Sequence, residues 1–363
     1  MVAVDFNSRG HHPTYLAKLV QSGWSGRIVT SIRGRERTLL NFSAERVADV
    51  LQGISVADQD FSAQVRWMDL HLAGEPAVHL AIDDLFAAMV RRPRFWLGES
   101  SHWSGVWMSS NFYYLRHRSP RHRLLWILFL TFVARKVASF RMRGSGKLLF
   151  LNEDLAQCLG QSPRLHQWVG WCPDPPDVLD MSTRDPNRCR RELLFFGEHT
   201  LRKGTEWALT ALRRWQGPEI TINIAGEWRG EAPLASYAAL LPPSVKMIAH
   251  TEYLSVTEVR SAFQTATVVV LPYRWFGGSS GVYNTAVAAG IPVVVPDFGL
   301  LAARSRRYGV GELFSHSSPD DFCHALTRAM DVDCTSRSLL GAQRFKQEHS
   351  LQVFRTALES CWT

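Results

Sequence analysis

Four segments of the second half, ELLFFG, EITINIAG, TVVVLPY and IPVVVP, occupy residues 192–197, 219–226, 267–273 and 291–296, with helix-like text between them. Several are near-continuous apolar runs, which suits parallel strands covered on both faces rather than strands with one wet face. Parallel neighbours need crossover connections, so these runs predict a doubly wound α/β domain. The connecting helices are read at EWALTALRRW, at Val256 to Gln264 and from Ser280 onward.

The first half repeats the arrangement less clearly. VAVDF (Val2 to Phe6) reads as a strand, Thr14 to Gln21 as a helix, and RIVTSI (Arg27 to Ile32), RFWLGE (Arg94 to Glu99) and KLLFL (Lys147 to Leu151) as further strands. Between the halves, WCPDPPDVLDMSTRDPNRCRR is rich in Pro, Asp and Arg without apolar periodicity, the composition of a linker. The expected layout is a domain over 1–170, a linker over 171–191, a second domain over 192–345 and a C-terminal helix over 346–363. That last segment either closes the second domain or returns to the first. A chain of 363 residues is long enough for two such cores.

A content of 46% hydrophobic and 20% charged residues is that of a globular protein. The opening MVAVDFNSRGHHP has neither a basic start nor an apolar stretch with a cleavage site, so a cytoplasmic protein is expected. Six cysteines without C-x-x-C spacing argue against zinc and against a disulfide framework. No H-E-x-x-H motif and no paired aspartates appear, so no metal is expected, and no nucleic-acid recognition motif is present.

Chemistry concentrates at two turns that leave predicted strands and enter predicted helices. RWFGGSSG brings Gly277, Gly278 and Gly281, which allow close backbone approach, and Ser279 and Ser280, which are hydroxyl donors or helix caps. The first N–H groups of a helix lack internal partners and face a partial positive charge, so a phosphate fits there. FFGEHTLRKG carries Lys203 beside Gly204, and an ammonium at that point can neutralise a diphosphate and ease its departure. The alternative reading of Lys203 is a solvated lysine at a helix start.

LLFFGEHTLRKGTEWALTAL, INIAGEW, TVVVLPY, SSGVYNTAVAAGIPVVVPDFGLL and YGVGELF resemble, in order and spacing, the nucleotide-sugar half of family-four GT-B glycosyltransferases. The resemblance covers about Glu192 to Phe314 strongly and the first half weakly. It implies two Rossmann-like domains facing across a cleft, transfer of a sugar with retention, and no metal or separate cofactor, the nucleotide-sugar being a co-substrate. It also implies that Lys203 contacts the donor diphosphate and acts in its departure, that Ser279, Ser280 and Gly281 cradle it, and that Gly226, Tyr253 and Leu254 flank the nucleoside.

The chain departs from that family where two glutamates eight positions apart usually meet the donor sugar and ribose. Those positions are Gly277 and Thr285 here, with Gly278 beside the first, and Glu198 stands where an arginine is usual. Thr285 can offer a ribose hydroxyl one hydrogen bond but no charge. An active enzyme is expected, because positioning and diphosphate stabilisation carry much of such a barrier. The alternative is a GT-B-like protein that binds a nucleotide or glycan, or serves as a scaffold, without turnover.

In the first half, SRGHHPTYL places Gly10, His11 and His12 ahead of a helix that starts at Pro13, one histidine as a cap and the other toward a sugar or acceptor hydroxyl. His102, in GESSHW, is the second candidate near the reacting sugar. Residues 100–152 contain no Asp or Glu, while Arg116, Arg118, Arg121, Arg123, Arg135, Lys136, Arg141, Arg143 and Lys147 all lie between 116 and 147. They flank an apolar run from Leu124 to Ala134, too short to span a bilayer. It reads either as a buried core helix or as a helix on an anionic membrane surface, at the inner membrane face, where a glycan or lipid-linked acceptor would be met.

Overall fold

The computed structural model describes residues 1–8, 12–40, 50–56, 60–72, 74–82, 103–108, 120–141, 146–177, 191–252, 254–276 and 278–362. Gly10, His11, His102, Tyr253 and Gly277, and the strand expected at Arg94 to Glu99, lie outside the described residues.

The chain forms two compact units. One comprises Met1–Ser110, Leu125–Pro175 and His349–Thr363, the other Asn111–Leu124 and Pro176–Glu348. Each is built around one parallel sheet, so the architecture is two Rossmann-like domains.

In the first unit the strands are β1 (Val2–Asp5), β2 (Arg27–Ser31), β3 (Leu51–Ile54), β4 (Ala77–His79), β5 (Trp103–Trp107), β6 (Leu148–Phe150) and β7 (Val169–Trp171). They lie in the order β3-β2-β1-β4-β5-β6-β7, all parallel. Val2 pairs with Arg27 on one side and Ala77 on the other, which fixes β1 at the centre. The short strands β3, β4, β5 and β7 escape a periodicity reading, since three to five residues give too little pattern to count.

The tail is two helices, Val332–Glu348 and Leu351–Glu359, rather than one. Ser350 separates them by capping the second, its hydroxyl accepting from the Val353 N–H at 3.2 Å. Phe354, Leu358 and Cys361 then join the core of the first unit beside Tyr15, Leu16 and Leu149. The residues after β7 also belong there: Tyr15 donates to the Asp174 carboxylate at 2.5 Å and Lys18 to the Pro175 carbonyl.

The second unit holds β8 (Glu192–Phe196), β9 (Ile220–Ala225), β10 (Val245–His250), β11 (Val268–Val270), β12 (Val293–Pro296) and β13 (Glu312–Phe314). Their order is β10-β9-β8-β11-β12-β13, again parallel throughout. Leu193, Ile222, Val268 and Val294 point to one layer of core, Leu194, Val269, Val293 and Val295 to the other. Burial on both faces is why those runs carry so little polar alternation.

No helix among the described residues is long and apolar enough to cross a membrane. The helix Pro120–Arg141 is not buried all round: Val133 and Val137 are enclosed, whereas Leu124, Leu125, Ile127, Leu128 and Phe132 are exposed.

Candidate functional site

In the second unit the strand order reverses between β8 and β11. Open parallel sheets bind ligands outside the carboxyl ends of their strands at such a point, because the two following loops part to opposite faces there. The two loops are 197–204 and 271–280, the turns that carry Lys203 and the serine pair.

These loops are pinned to each other. The Arg274 N–H donates to the Arg202 carbonyl at 3.0 Å. Gly204 has φ +73°, and any side chain on it would collide with the Pro272 carbonyl oxygen, so only glycine fits. This approach sets Lys203 at the end of the single 3₁₀ turn Leu201–Lys203.

The Lys203 ammonium donates to the Tyr273 hydroxyl at 2.7 Å, and the same hydroxyl lies 3.0 Å from Ser280 Oγ. Ser280 caps the helix Gly281–Ala288, its hydroxyl accepting from the Tyr283 N–H. Lysine, phenol and capping serine thus form one hydrogen-bonded chain from loop to loop. Tyr273 is buried, Lys203 only half so, and no carboxylate among the described residues pairs with the ammonium. Gly281 is exposed with no atom within 4 Å of where a side chain would stand, leaving the start of the helix open.

Beneath the serines lies a residue that sequence spacing does not reveal. Arg304, on the helix Gly299–Tyr308, is fully buried; its Nη1 donates to Ser279 Oγ at 2.7 Å and to Asn284 Oδ1 at 3.1 Å. The Asn284 amide donates to the same serine oxygen at 3.3 Å. The Ser279 hydroxyl oxygen is therefore held from below, and a guanidinium in a low-dielectric setting adds to the positive potential at the helix start. Nothing in the spacing of RSRRY distinguishes Arg304 from its exposed neighbours Arg306 and Arg307.

His199 is the second residue missed. It is buried, its Nδ1 lies 2.9 Å from Thr205 Oγ1, and its backbone bridges to Trp228. Burial lowers the imidazole to about 4; the Ala225 carbonyl opposes that shift and the Lys203 ammonium adds to it. His199 is thus a neutral part of the scaffold behind Lys203. Glu198 points into water and shares Arg229 with Glu227, Nε at 2.9 Å from each. The Arg202 guanidinium lies 5.1 Å over the Phe276 ring.

Thr285 is buried on the helix Gly281–Ala288, and its hydroxyl makes no hydrogen bond among the described residues. Gly226, with φ +118°, closes β9 so near β8 that a side chain would stand 2.5 Å from the Gly197 carbonyl oxygen. Its N–H donates to the His250 carbonyl at 2.8 Å, which brings the ends of β8, β9 and β10 together. Leu254 packs against the apolar layer that contains Tyr273 and Tyr283.

In the first unit, His12 is buried with both ring nitrogens engaged. Nδ1 lies 3.0 Å from each oxygen of the Asp5 carboxylate and Nε2 lies 3.1 Å from Asn7 Nδ2. This ties the start of the helix His12–Gln21 to the end of β1.

Residues 190–331 match the model of the family Glycosyl transferases group 1. No curated protein matches the chain by sequence. Solved structures resemble it along nearly its whole length. Sucrose-phosphate synthase from Thermosynechococcus elongatus is 13% identical over 99% of this chain and 96% of that one, with a TM-score of 0.60. Anabaena HepE in complex with UDP and glucose is 12% identical over 99% and 97%, TM-score 0.63. The lipopolysaccharide outer core galactosyltransferase WaaB is 13% identical over 99% and 98%, TM-score 0.61. The chain has the GT-B fold of these proteins, and the stretch that matches the family model runs from β8 through the helix Pro319–Ala329 of the second unit.

Proposed function

We propose that the protein transfers a sugar from a nucleotide-sugar to a hydroxyl acceptor, a glycan or lipid-linked sugar of a surface polysaccharide or glycolipid, with retention of configuration. The observation that carries this reading is the acid-free chain Lys203–Tyr273–Ser280 at the open N-terminus of the helix Gly281–Ala288. A diphosphate placed there meets an ammonium, free helix N–H groups and hydroxyls, all pre-oriented by the pinning of the two loops. As the bond from the sugar carbon to the diphosphate oxygen breaks, negative charge grows on that oxygen, and these groups stabilise it. UDP, bound by HepE, is the first nucleotide to test.

A second reading, binding without turnover, is favoured by one feature: Gly277 and Thr285 provide no carboxylate for the donor sugar and ribose. Thermal shift against UDP, GDP, ADP and their sugar conjugates, followed by a donor-hydrolysis assay, separates the two. Stabilisation by one base together with slow release of free nucleotide diphosphate from its sugar conjugate supports the transferase. Stabilisation without any release supports the binding protein. No shift by any nucleotide overturns the donor site.

A further inference from the structure

The helix Pro120–Arg141 is 22 residues long, about 33 Å at the usual rise, and its two faces differ. Val133 and Val137, one turn apart, are buried at 0% and 1% exposure. Leu124, Leu128, Phe132 and Arg135 are spaced four, four and three apart and therefore share one stripe. Leu125, Ile127 and Thr131 border it. Leu124 is 61% exposed, Leu125 50%, Ile127 56%, Leu128 57% and Phe132 52%. Single exposed apolar residues are ordinary on a protein surface, but a contiguous stripe of five large ones marks a surface that something covers.

Charge identifies what covers it. Residues 100–152 carry no acidic side chain, and Lys or Arg stands at nine positions between 116 and 147. Arg135 is exposed at the end of the stripe, and Arg121 and Arg123 precede it in sequence. A second copy of the chain would bring two such cationic segments together, which Coulomb repulsion opposes. A surface with apolar depth and negative headgroups satisfies both features at once. We propose that this helix lies flat on an anionic lipid surface, its apolar stripe at the acyl boundary and its cations on lipid phosphates. The inference is independent of the donor-site reading.

Vesicle flotation of the full chain tests it, using phosphatidylcholine vesicles with and without phosphatidylglycerol at low and high salt. The wild type is expected to float with the anionic vesicles, less at high salt, and the double variant Leu128→Gln/Phe132→Gln to float about tenfold less. All these positions are exposed, so an unchanged melting temperature verifies folding, and Leu124→Gln/Leu125→Gln serves as a second pair in the same assay. Failure of the wild type to float, or flotation of both double variants equal to that of the wild type, overturns the proposal. So does a wild-type dimer in sedimentation velocity that Leu128→Gln/Phe132→Gln converts to a monomer while vesicle binding is absent.

Discussion

Lys203 and Ser280, 77 residues apart in the chain, meet at one phenol: the Tyr273 hydroxyl accepts from the Lys203 ammonium at 2.7 Å and lies 3.0 Å from Ser280 Oγ. The first of these contacts positions a cation that no carboxylate among the described residues neutralises. Substitution Lys203→Ala should therefore weaken nucleotide-sugar binding by about 10- to 100-fold, the range of a charge-assisted hydrogen bond. The melting temperature without ligand should hardly move, because the lysine is only half-buried. Calorimetric titration of both proteins with the stabilising nucleotide-sugar decides it, and equal affinities remove Lys203 from the site.

Tyr273→Phe keeps the buried ring and deletes only the hydroxyl that links the loops. A loss of about 1 kcal/mol of stability is expected, with a smaller drop in donor affinity than Lys203→Ala produces. Urea unfolding with unchanged m-value reads the first effect; an affinity loss equal to that of Lys203→Ala would mean that the phenol itself contacts the ligand.

Arg304→Leu removes the buried donor to Ser279 and Asn284 and leaves both without it. The expected cost is about 3 kcal/mol, together with faster amide exchange in residues 278–284. A variant as stable as wild type would show that the guanidinium is dispensable to the turn.

Two glycines with nearly the same backbone separate close approach from strain. Gly204 and Gly309 both have positive φ, 73° and 67°, but a side chain at Gly204 strikes the Pro272 carbonyl, whereas nothing lies within 4 Å at Gly309. Gly309→Ala should cost about 1 kcal/mol from strain alone. Gly204→Ala should cost at least about twice that, since the loops must separate. Chemical denaturation that ranks them in reverse order would refute the pinning.

The His199 imidazole titrates near 4 in the folded protein, below its ordinary 6.5, because it is buried. The unfolded chain binds the proton more readily, so stability is intact above about 6.5 and falls as pH drops toward about 4. The limiting loss is about 3 kcal/mol from this group. Stability measured against pH should show that slope in wild type and lack it in His199→Gln.

Much of the second domain was legible because its strands are buried on both faces: ELLFFG, TVVVLPY and IPVVVP advertise themselves through near-continuous apolar runs. The glycines and serines of the turn after β11, and Lys203 in the turn after β8, were readable for a related reason, since turn chemistry is local. Short and edge strands such as β3, β4 and β10 were not, being three to six residues long and, at β10, largely exposed. Sequence order also could not tell where the tail packs, because Phe354 finds Tyr15 only once both are folded. Arg304 under Ser279, the phenol shared by Lys203 and Ser280, and the exposed stripe opposite Val133 and Val137 are decisions of the tertiary structure. Each depends on which face of an element meets which neighbour, and a pattern along one chain records the existence of a face but not its partner.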